Sequence, residues 1–215
     1  MQIKKQLILI GGGGHCKVII DAIQAARHYR IMGIIDKNTS ASEILGIPVI
    51  GDDSQLEDIF SRRCQLAFVA IGSVGHPQKR AELADKLQSI GFQIPAIAHP
   101  TAVIARDIAL GKGTFVSAGA VIGPGTIIGN NVIVNTNASV DHDCYLDDYV
   151  HVAPGATLSG GVKVAAYSHI GTGASIIEYK NIGSNTLIGA GSVVVDDIPS
   201  NCKAFGNPCH VVNSF

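Results

Sequence analysis

The sequence predicts a small Rossmann-like α/β domain followed by a parallel β-helix, and two patterns of apolar residues support this fold class. In the first part of the chain, short β-rich apolar runs alternate with segments in which apolar residues recur at helical spacing. After that the spacing changes to six, and every sixth residue from Ile104 to Val194 is aliphatic. We therefore expect a βαβ domain over residues 1–99 and a β-helix over residues 100–215.

The N-terminal domain begins with a strand, a glycine-rich turn and a helix. The run QLILIGG at 6–12 is rich in β-forming residues until its glycines, and residues 16–27 carry apolar side chains at helical spacing. The run IMGIID at 31–36 is strand-like again. This order is typical of a domain with a parallel sheet.

Two more helices and a further strand are predicted in this domain. We expect Ser54 to cap a helix that continues to Phe60, and LAFVAIG at 66–72 to form a strand. Residues 77–90 begin with proline and precede Gly91, which is the usual arrangement of a helix.

The second domain consists of hexapeptide repeats. Sixteen positions that lie six apart are all aliphatic, and the residue four further on is mostly small. Such repeats build a parallel β-helix, in which each coil buries what its neighbours expose. With three hexads per coil, residues eighteen apart lie directly above one another. The hexad at Ile176 departs from the pattern, because Lys180 stands where a small residue is expected, and this predicts a bulge or an irregular coil.

Composition excludes several classes of function. Apolar residues make up 47% of the chain, charged residues 15%, and the net charge is −1, which argues against binding to nucleic acid or anionic lipid. The apolar run near the N-terminus is too short for a signal peptide or a spanning helix, so we expect a cytoplasmic protein without membrane insertion. Five cysteines without a C-x-x-C pair indicate reduced thiols.

The stretch VDHDC places Asp141, His142 and Asp143 together among small and aliphatic residues. His142 and Asp143 are the third and fourth residues of their hexad, where a coil turns and side chains point outward. Gly160 and Gly161 follow eighteen residues later and offer bare backbone beside the imidazole. A neutral imidazole next to a carboxylate can act as a base near pH 7, and glycine N–H groups can stabilise an oxyanion. The alternative is a solvated corner, because Asp and His are ordinary turn residues.

His151 and His169 are eighteen residues apart, so we expect them to stack as outward groups on another edge. They raise a second interpretation, a zinc lyase of the carbonic anhydrase type, which uses the same β-helix. That site would need His142 and His151 to meet across a trimer interface. The acidic neighbours of His142 suit a base better than a metal ligand.

The glycine loop before the first helix is typical of a phosphate site, because a helix N-terminus presents free N–H groups and a positive dipole end. Asp36 ends the next strand, where a dinucleotide-binding domain keeps its ribose-binding acid. A dehydrogenase is disfavoured, because the third glycine of G-x-G-x-x-G would fall on Cys16 and the domain is too short to bind two nucleotides. A domain of this size, with room for half of a dinucleotide site, fits a nucleoside diphosphate. His15 either donates to a phosphate or sugar oxygen or bonds to the loop backbone.

Together, GGGGHC, VDHDC and the C-terminal AFGNPCHVV resemble the bacterial sugar-nucleotide acetyltransferases of the PglD/NeuD type. These belong to the hexapeptide-repeat acyltransferases, whose β-helix is left-handed. The resemblance covers residues 5–212 and implies an acetyl-CoA-dependent N-acetyltransferase acting on a UDP-, GDP- or dTDP-linked 4-amino-6-deoxy sugar, without a metal. An O-acetyltransferase of sialic acid or a related sugar is the alternative.

The resemblance also assigns roles to particular residues. It implies that His142 is the general base and that Asp143 supports its basicity. The positions expected to hold the nucleotide sugar are Gly13, Gly14, His15, Asp36, Lys37 and Gly72. The positions expected to line the acetyl-CoA groove between neighbouring subunits are His151, Gly160, Thr172 and Ala190. Two departures are notable, since Cys16 stands where glycine is common and Ala190 offers only its backbone.

We expect a homotrimer with a shared acetyl-CoA site. A triangular prism has three flat sides, and a single chain would leave outward groups such as His151 and His169 in water. Closed cyclic symmetry is the common way for identical subunits to bury such surfaces.

Overall fold

The computed structural model describes residues 4–37, 40–62, 64–75 and 77–214, so the outermost ends of the two predicted domains lie outside the described residues. The chain forms two compact units. One contains Met1–Ser73 and Gln78–Pro100, and the other contains Val74–Pro77 and Thr101–Phe215.

The first unit is a βαβ domain around a five-stranded sheet. Its elements are β1 (Lys5–Ile10), α1 (Gly14–Ala26), β2 (Tyr29–Ile35), β3 (Glu43–Ile44), β4 (Ile47–Gly51), a 3-10 turn (Asp53–Gln55), α2 (Leu56–Arg62), β5 (Ala67–Val69), α3 (Gln78–Ile90) and β6 (Ile97–Ala98). The sheet order is β3-β4-β2-β1-β5, and its pairs are parallel except the β3–β4 hairpin. Strand β1, which lies between β2 and β5, is deeply buried, with Leu7 to Ile10 at most 2% exposed.

The predicted cap of the second helix is wrong. The N-cap is Asp52, whose carboxylate accepts a hydrogen bond from the Ser54 N–H (2.8 Å), while the Gln55 side chain accepts from the Asp52 N–H (2.9 Å). This reciprocal pair is a capping box, and it begins two residues earlier because Asp52 and Gln55 have the required three-residue spacing. The helix predicted before Gly91 is confirmed, and Gly91 has a φ of +108°, which suits glycine at a helix end.

The second unit is a triangular β-helix of two-residue strands, so the predicted fold class is confirmed. Its strands are β7 (Val103–Ile104), β8 (Phe115–Val116), β9 (Val121–Ile122), β10 (Ile127–Ile128), β11 (Ile133–Val134), β12 (Ser139–Val140), β13 (Tyr145–Leu146), β14 (His151–Val152), β15 (Thr157–Leu158), β16 (Lys163–Val164), β17 (His169–Ile170), β18 (Ser175–Ile176), β19 (Asn181–Ile182), β20 (Leu187–Ile188) and β21 (Val193–Val194), followed by β22 (Cys202–Gly206) and β23 (Cys209–Ser214).

Three parallel sheets form the sides of the prism. Face 1 contains β7, β9, β12, β15, β18 and β21, face 2 contains β10, β13, β16 and β19, and face 3 contains β8, β11, β14, β17 and β20, extended by β22 and β23. Neighbouring strands pair residues eighteen apart, as Ser139 pairs with both Val121 and Thr157. Each turn between strands therefore belongs to one of three corners, which we name by the faces they join: corner 1/2, corner 2/3 and corner 3/1.

The aliphatic position of each hexad fills the interior. From Val116 to Val194 all fourteen of these side chains are at most 5% exposed. Ile104 and Leu110 are only partly buried, and Leu110 belongs to no strand. The first hexads thus behave as atypical terminal repeats.

The residue four positions after each aliphatic one lies at a corner, and where it carries a hydroxyl it forms hydrogen bonds with buried backbone groups. The Thr126 hydroxyl donates to the carbonyl of Asp141 (2.8 Å) and accepts from the N–H of Cys144 (3.2 Å). The Ser168 hydroxyl makes the equivalent bonds, donating to the carbonyl of Gly183 (2.6 Å) and accepting from the N–H of Thr186 (3.0 Å). A hydroxyl at this position therefore links one coil to the next, which is a reason for Thr and Ser to recur there.

The bulge predicted around Lys180 is wrong. Ser175 pairs with Thr157 below and Val193 above at the regular spacing of eighteen. The Lys180 carbonyl still accepts from the N–H of Lys163 (2.9 Å), and Tyr179 forms the corner with a φ of +57°. The larger side chain is accommodated at a corner without a change of register.

No helix in the described part of the chain is long and apolar enough to cross a membrane.

Leu146→Ala should lower the stability of the β-helix by about 2–5 kcal/mol, because it leaves a cavity at a fully buried hexad position. Thermal unfolding by calorimetry measures the effect. Lys163→Ala, on the neighbouring strand of face 2 with its side chain exposed, is the control and should stay within about 0.5 kcal/mol of the unsubstituted protein. Equal unfolding midpoints for the two variants would contradict the assigned core.

Candidate functional site

His142 and Asp143 form the turn between β12 and β13 at corner 1/2. Asp143 has a φ of +57°, a left-handed conformation that Asp adopts more readily than most residues. The Asp143 N–H donates to the Pro124 carbonyl (3.0 Å), and the His142 carbonyl accepts from the Gly161 N–H (2.9 Å). The coils below and above therefore both fix this turn.

Two carboxylates surround His142. Its Nδ1 lies 2.8 Å from the Asp143 carboxylate, and its backbone N–H donates to the Asp141 carboxylate (2.7 Å). An ionised carboxylate only accepts, so Nδ1 carries the proton and Nε2 presents a lone pair in the neutral ring. The bond to Asp143 raises the pKa of His142 above its ordinary value, with a further contribution from the charge of Asp141. The imidazole is 49% exposed, so a ligand can reach it.

Gly160 is the residue against which the imidazole packs. A Cβ on Gly160 would lie 2.5 Å from both Cε1 and Nε2 of His142, closer than side-chain atoms approach one another. The ring edge that carries the lone pair therefore lies beside bare backbone. The Gly161 N–H is already bonded to the His142 carbonyl, so it is not free to stabilise an oxyanion, and Gly160 is buried against the imidazole.

His151 and His169 lie on face 3, not on an edge of the prism. They pair in register in β14 and β17, their rings meet edge-to-face at 4.7 Å, and Asn135 lies 3.1 Å from Nε2 of His151. Both are buried, at 6% and 7% exposure, so the prediction that a single chain leaves them in water is wrong. Residues at these positions point away from the coil, yet Phe115 and Ile133 in the same row are buried as well, while Leu187 at its C-terminal end is only partly buried.

Thr172 and Ala190 are exposed and stack eighteen residues apart at corner 3/1. His142 and Gly160 occupy corner 1/2, on the other side of face 1. One side of a coil spans six residues, or up to ~20 Å at about 3.3 Å per residue. The structure therefore brings His142, Asp143 and Gly160 together, and places Thr172 and Ala190 of the same chain on a different corner.

The glycine loop is built around the start of α1. Gly13 caps the helix in an extended conformation, and Gly13 and Gly14 are exposed with open space where a Cβ would stand. The Asp36 carboxylate accepts a hydrogen bond from the Gly12 N–H, which ties the loop to the end of β2. Lys37 follows and is exposed. An exposed helix N-terminus with unobstructed glycines can receive a phosphate group.

His15 lies behind this loop as a neutral side chain. Gly72 packs on it so closely that a Cβ would lie 3.3 Å from the His15 Cβ. Burial, and then the charge of Arg80, lower the pKa of His15 to about 4. The ring is therefore uncharged near neutral pH, and it can either donate or accept a hydrogen bond.

Arg80 is a residue that reasoning from the sequence missed. It is 4% exposed on α3 and shares the buried side of that helix with Leu83, Ala84 and Leu87. The sequence did carry a signal, because Arg80 occupies a position of the helical repeat that is otherwise apolar. An arginine at such a position is rarely buried without a function or a partner. Cys16 is fully buried, so the departure from glycine at that position adds a core side chain behind the loop.

Within the described parts of the chain, no three His, Cys, Asp or Glu side chains come together in an arrangement that could hold a metal ion. The histidine site of a zinc lyase is therefore not assembled by one chain alone.

Two protein-family models match the chain. The PglD N-terminal domain matches residues 6–87, and the bacterial transferase hexapeptide model, which describes six repeats, matches residues 125–160. The two matches fall in the first and second compact units respectively.

Solved structures match nearly the whole chain. A mutant of perosamine N-acetyltransferase from Caulobacter crescentus with a histidine changed to asparagine, in complex with CoA and GDP-perosamine, is 37% identical over 97% of both chains, with a TM-score of 0.91. The acetyltransferase domain of PglB from Neisseria gonorrhoeae, in complex with acetyl coenzyme A, is 36% identical and has a TM-score of 0.91 over 97% of this chain and 100% of that one.

A curated relative matches over a shorter range. UDP-N-acetylbacillosamine N-acetyltransferase from Bacillus subtilis is 34% identical over 114 residues, which are 53% of this chain and 52% of that protein. The match thus spans about half the length of the curated relative. With both family models, and with solved relatives aligned over nearly their full length, the chain belongs to the PglD-type sugar-nucleotide acetyltransferases of the hexapeptide-repeat superfamily.

Proposed function

We propose that the chain is an acetyl-CoA-dependent N-acetyltransferase that acts on the amine of a nucleotide-linked 4-amino-6-deoxy sugar. The observation that carries this proposal is the pair formed by His142 and Asp143, 2.8 Å apart, with Nε2 of the ring beside the bare backbone of Gly160. Relatives that bind CoA with GDP-perosamine, or acetyl coenzyme A, support the choice of substrates.

His142 is the general base in this reaction. As the sugar nitrogen attacks the thioester carbonyl, Nε2 takes a proton from it, the new C–N bond forms, and the C–S bond breaks. The proton held on Nε2 is then available to the departing thiolate, so coenzyme A leaves as the thiol. Asp143 stabilises the imidazolium that forms between the two steps.

The first unit is the nucleotide-binding part in this proposal. The N–H groups at Gly13 and Gly14 would hold a diphosphate, and His15 would bond a phosphate or sugar oxygen as a neutral group. Asp36 and Lys37, at the end of β2, would meet the ribose or the base, and Gly72 allows close approach beside His15. UDP, GDP and dTDP all present the diphosphate that this loop fits.

The proposal places the protein in the cytoplasm. All five cysteines are free and buried, which fits a reducing compartment.

The acetyl-CoA groove is proposed to form between the chains of a homotrimer. Of the expected lining residues, Gly160 lies on corner 1/2, Thr172 and Ala190 lie on corner 3/1, and His151, buried on face 3, has almost no exposed surface to offer the groove. A closed ring brings corner 1/2 of one chain beside corner 3/1 of the next, which completes the groove.

Face 1, which lies between those two corners, supports this arrangement. The outward residues of its six strands are uncharged and small, and they include exposed valines, with Val103 at 62% and Val121 at 40%. The row consists of Val103, Val121, Ser139, Thr157, Ser175 and Val193. An uncharged flat sheet face of this kind suits contact with other copies of the chain.

Incubation with acetyl-CoA and a panel of UDP-, GDP- and dTDP-linked 4-amino-6-deoxy sugars should release free thiol with at least one of them. His142→Ala should lower kcat/KM by at least ~10²-fold, the usual size of a general-base contribution. His28→Ala, at an exposed histidine between α1 and β2, is the control and should retain full activity. Turnover of free sialic acid alone would favour the O-acetyltransferase, and stoichiometric zinc in active protein would favour the lyase.

Asp143→Asn should lower the pKa of His142, because the hydrogen bond to the carboxylate is the main cause that raises it. The acidic limb of the kcat/KM profile should therefore move to lower pH, while the plateau falls moderately because the base is weaker. Asp148→Asn is the control, since Asp148 bonds Asn130 on corner 2/3. An unmoved limb, or one moved to higher pH, would contradict the role of Asp143.

Light scattering at micromolar concentration should give about three times the chain mass of 22.4 kDa.

Mixing chains that carry different substitutions then tests whether the site is shared between subunits. Gly160 contacts His142 of its own chain, so the opposite wall must be disabled elsewhere, and Thr172→Trp on corner 3/1 is suitable. In an equal mixture of His142→Ala and Thr172→Trp chains, about a quarter of the grooves combine two intact walls, so activity should return. A mass near one chain, or no regained activity, would overturn the shared groove.

A further inference from the structure

Tyr179 is the most exposed large side chain on the corner that carries His142. It follows Asp143 by two coils at corner 1/2, its side chain is part of a residue 70% exposed, and its φ is +57°. A bulky aromatic residue in the left-handed region is uncommon. Gly125, Asp143 and Gly161, which precede it on this corner, are residues that adopt positive φ more easily.

The ring of Tyr179 extends toward the coil below and covers Gly161. A Cβ on Gly161 would stand 2.7 Å from Cε1 of the ring, so only glycine leaves room for it. The neighbouring Gly160 accommodates the imidazole of His142 from the opposite direction. This glycine pair therefore receives one ring from below and one from above, and the tyrosine ring is fixed close to the candidate base.

The other tyrosines at left-handed corners are arranged differently. Tyr149 and Tyr167 stack on each other at corner 2/3, with ring centroids 5.1 Å apart and planes 8° apart, and they are 8% and 38% exposed. Their rings pack within the chain. The Tyr179 ring packs on one side and leaves the other side open.

We propose that the open side of Tyr179 is a contact surface for the pantetheine arm of acetyl-CoA, and this proposal rests on the proposed function. Thr172 and Ala190, the proposed coenzyme residues on the facing corner, belong to coils beyond His142. The arm would therefore run from His142 toward the C-terminal coils and pass Tyr179. Coils are about 4.8 Å apart, so the backbone of Tyr179 lies ~10 Å along the axis from His142. Its ring reaches one coil down to Gly161 and would meet the arm beside the thioester, not the reacting carbonyl itself.

Tyr179→Asn tests this contact, because asparagine tolerates the same backbone conformation. The Kd for coenzyme A by calorimetry and the KM for acetyl-CoA should both rise about 10-fold, as expected for the loss of a buried aromatic contact. The kcat and the KM for the sugar nucleotide should stay unchanged, and Tyr179→Phe should behave as wild type because the ring makes the contact. Tyr167→Asn is the matched control and should leave Kd and KM unchanged.

A Tyr179→Trp variant gives a second readout, because the chain contains no tryptophan. Its emission should change when coenzyme A is added, and that of Tyr167→Trp should not. A Kd for Tyr179→Asn within twofold of wild type, or an unchanged emission, would overturn the contact while leaving the acetyltransferase in place. Failure of the wild-type protein to bind coenzyme A would overturn both proposals.

Discussion

The register of eighteen residues between stacked coils is the constraint on which the β-helix unit depends. Parallel backbone hydrogen bonds repeat at this interval on all three faces, and each inward aliphatic side chain rests on those of the coils below and above. Because the register does not slip, a residue keeps its corner through the whole stack. His142 meets Gly160 for this reason alone, since the two residues are far too distant in the chain to meet through local structure.

A periodic sequence makes much of this architecture predictable. Once the period is known, simple addition places Gly160 beside His142 and pairs His151 with His169, and the structure shows both contacts. The same addition does not reveal which outward rows are covered, so the burial of the two histidines was mispredicted. The period of the sequence determines which residues of successive coils stack on each other. The burial of an outward side chain depends instead on what other part of the chain lies over that face.

Local competition explains the other differences. Asp52 and Ser54 are both good capping residues, and only the position of Gln55 decides between them. Arg80 looks like a surface residue of a charged helix until the whole repeat is considered, because its neighbours on the buried side lie three, four and seven residues later. Lys180 breaks the preference for a small residue without changing the geometry, since the strands on either side of its corner keep their register.

Two histidines show how environment assigns different chemistry to one residue type. His15 is enclosed near a guanidinium, which lowers its pKa to about 4, so it remains a neutral hydrogen-bonding group. His142 is open to solvent and bonded to a carboxylate, which raises its pKa. The first arrangement suits recognition of an anion-bearing ligand without a change of charge, and the second suits proton transfer.

The fixed register also determines which changes of length the β-helix can absorb. Eighteen residues added after Val194 would extend every corner by one coil and leave the alignment of the existing ones intact. Six residues added between His142 and Gly160 would turn the upper part of the prism by one third, so that another corner stood above the imidazole. Divergence among proteins of this architecture should therefore proceed by whole coils on the C-terminal side of His142, and partial coils there should be eliminated because they separate His142 from Gly160.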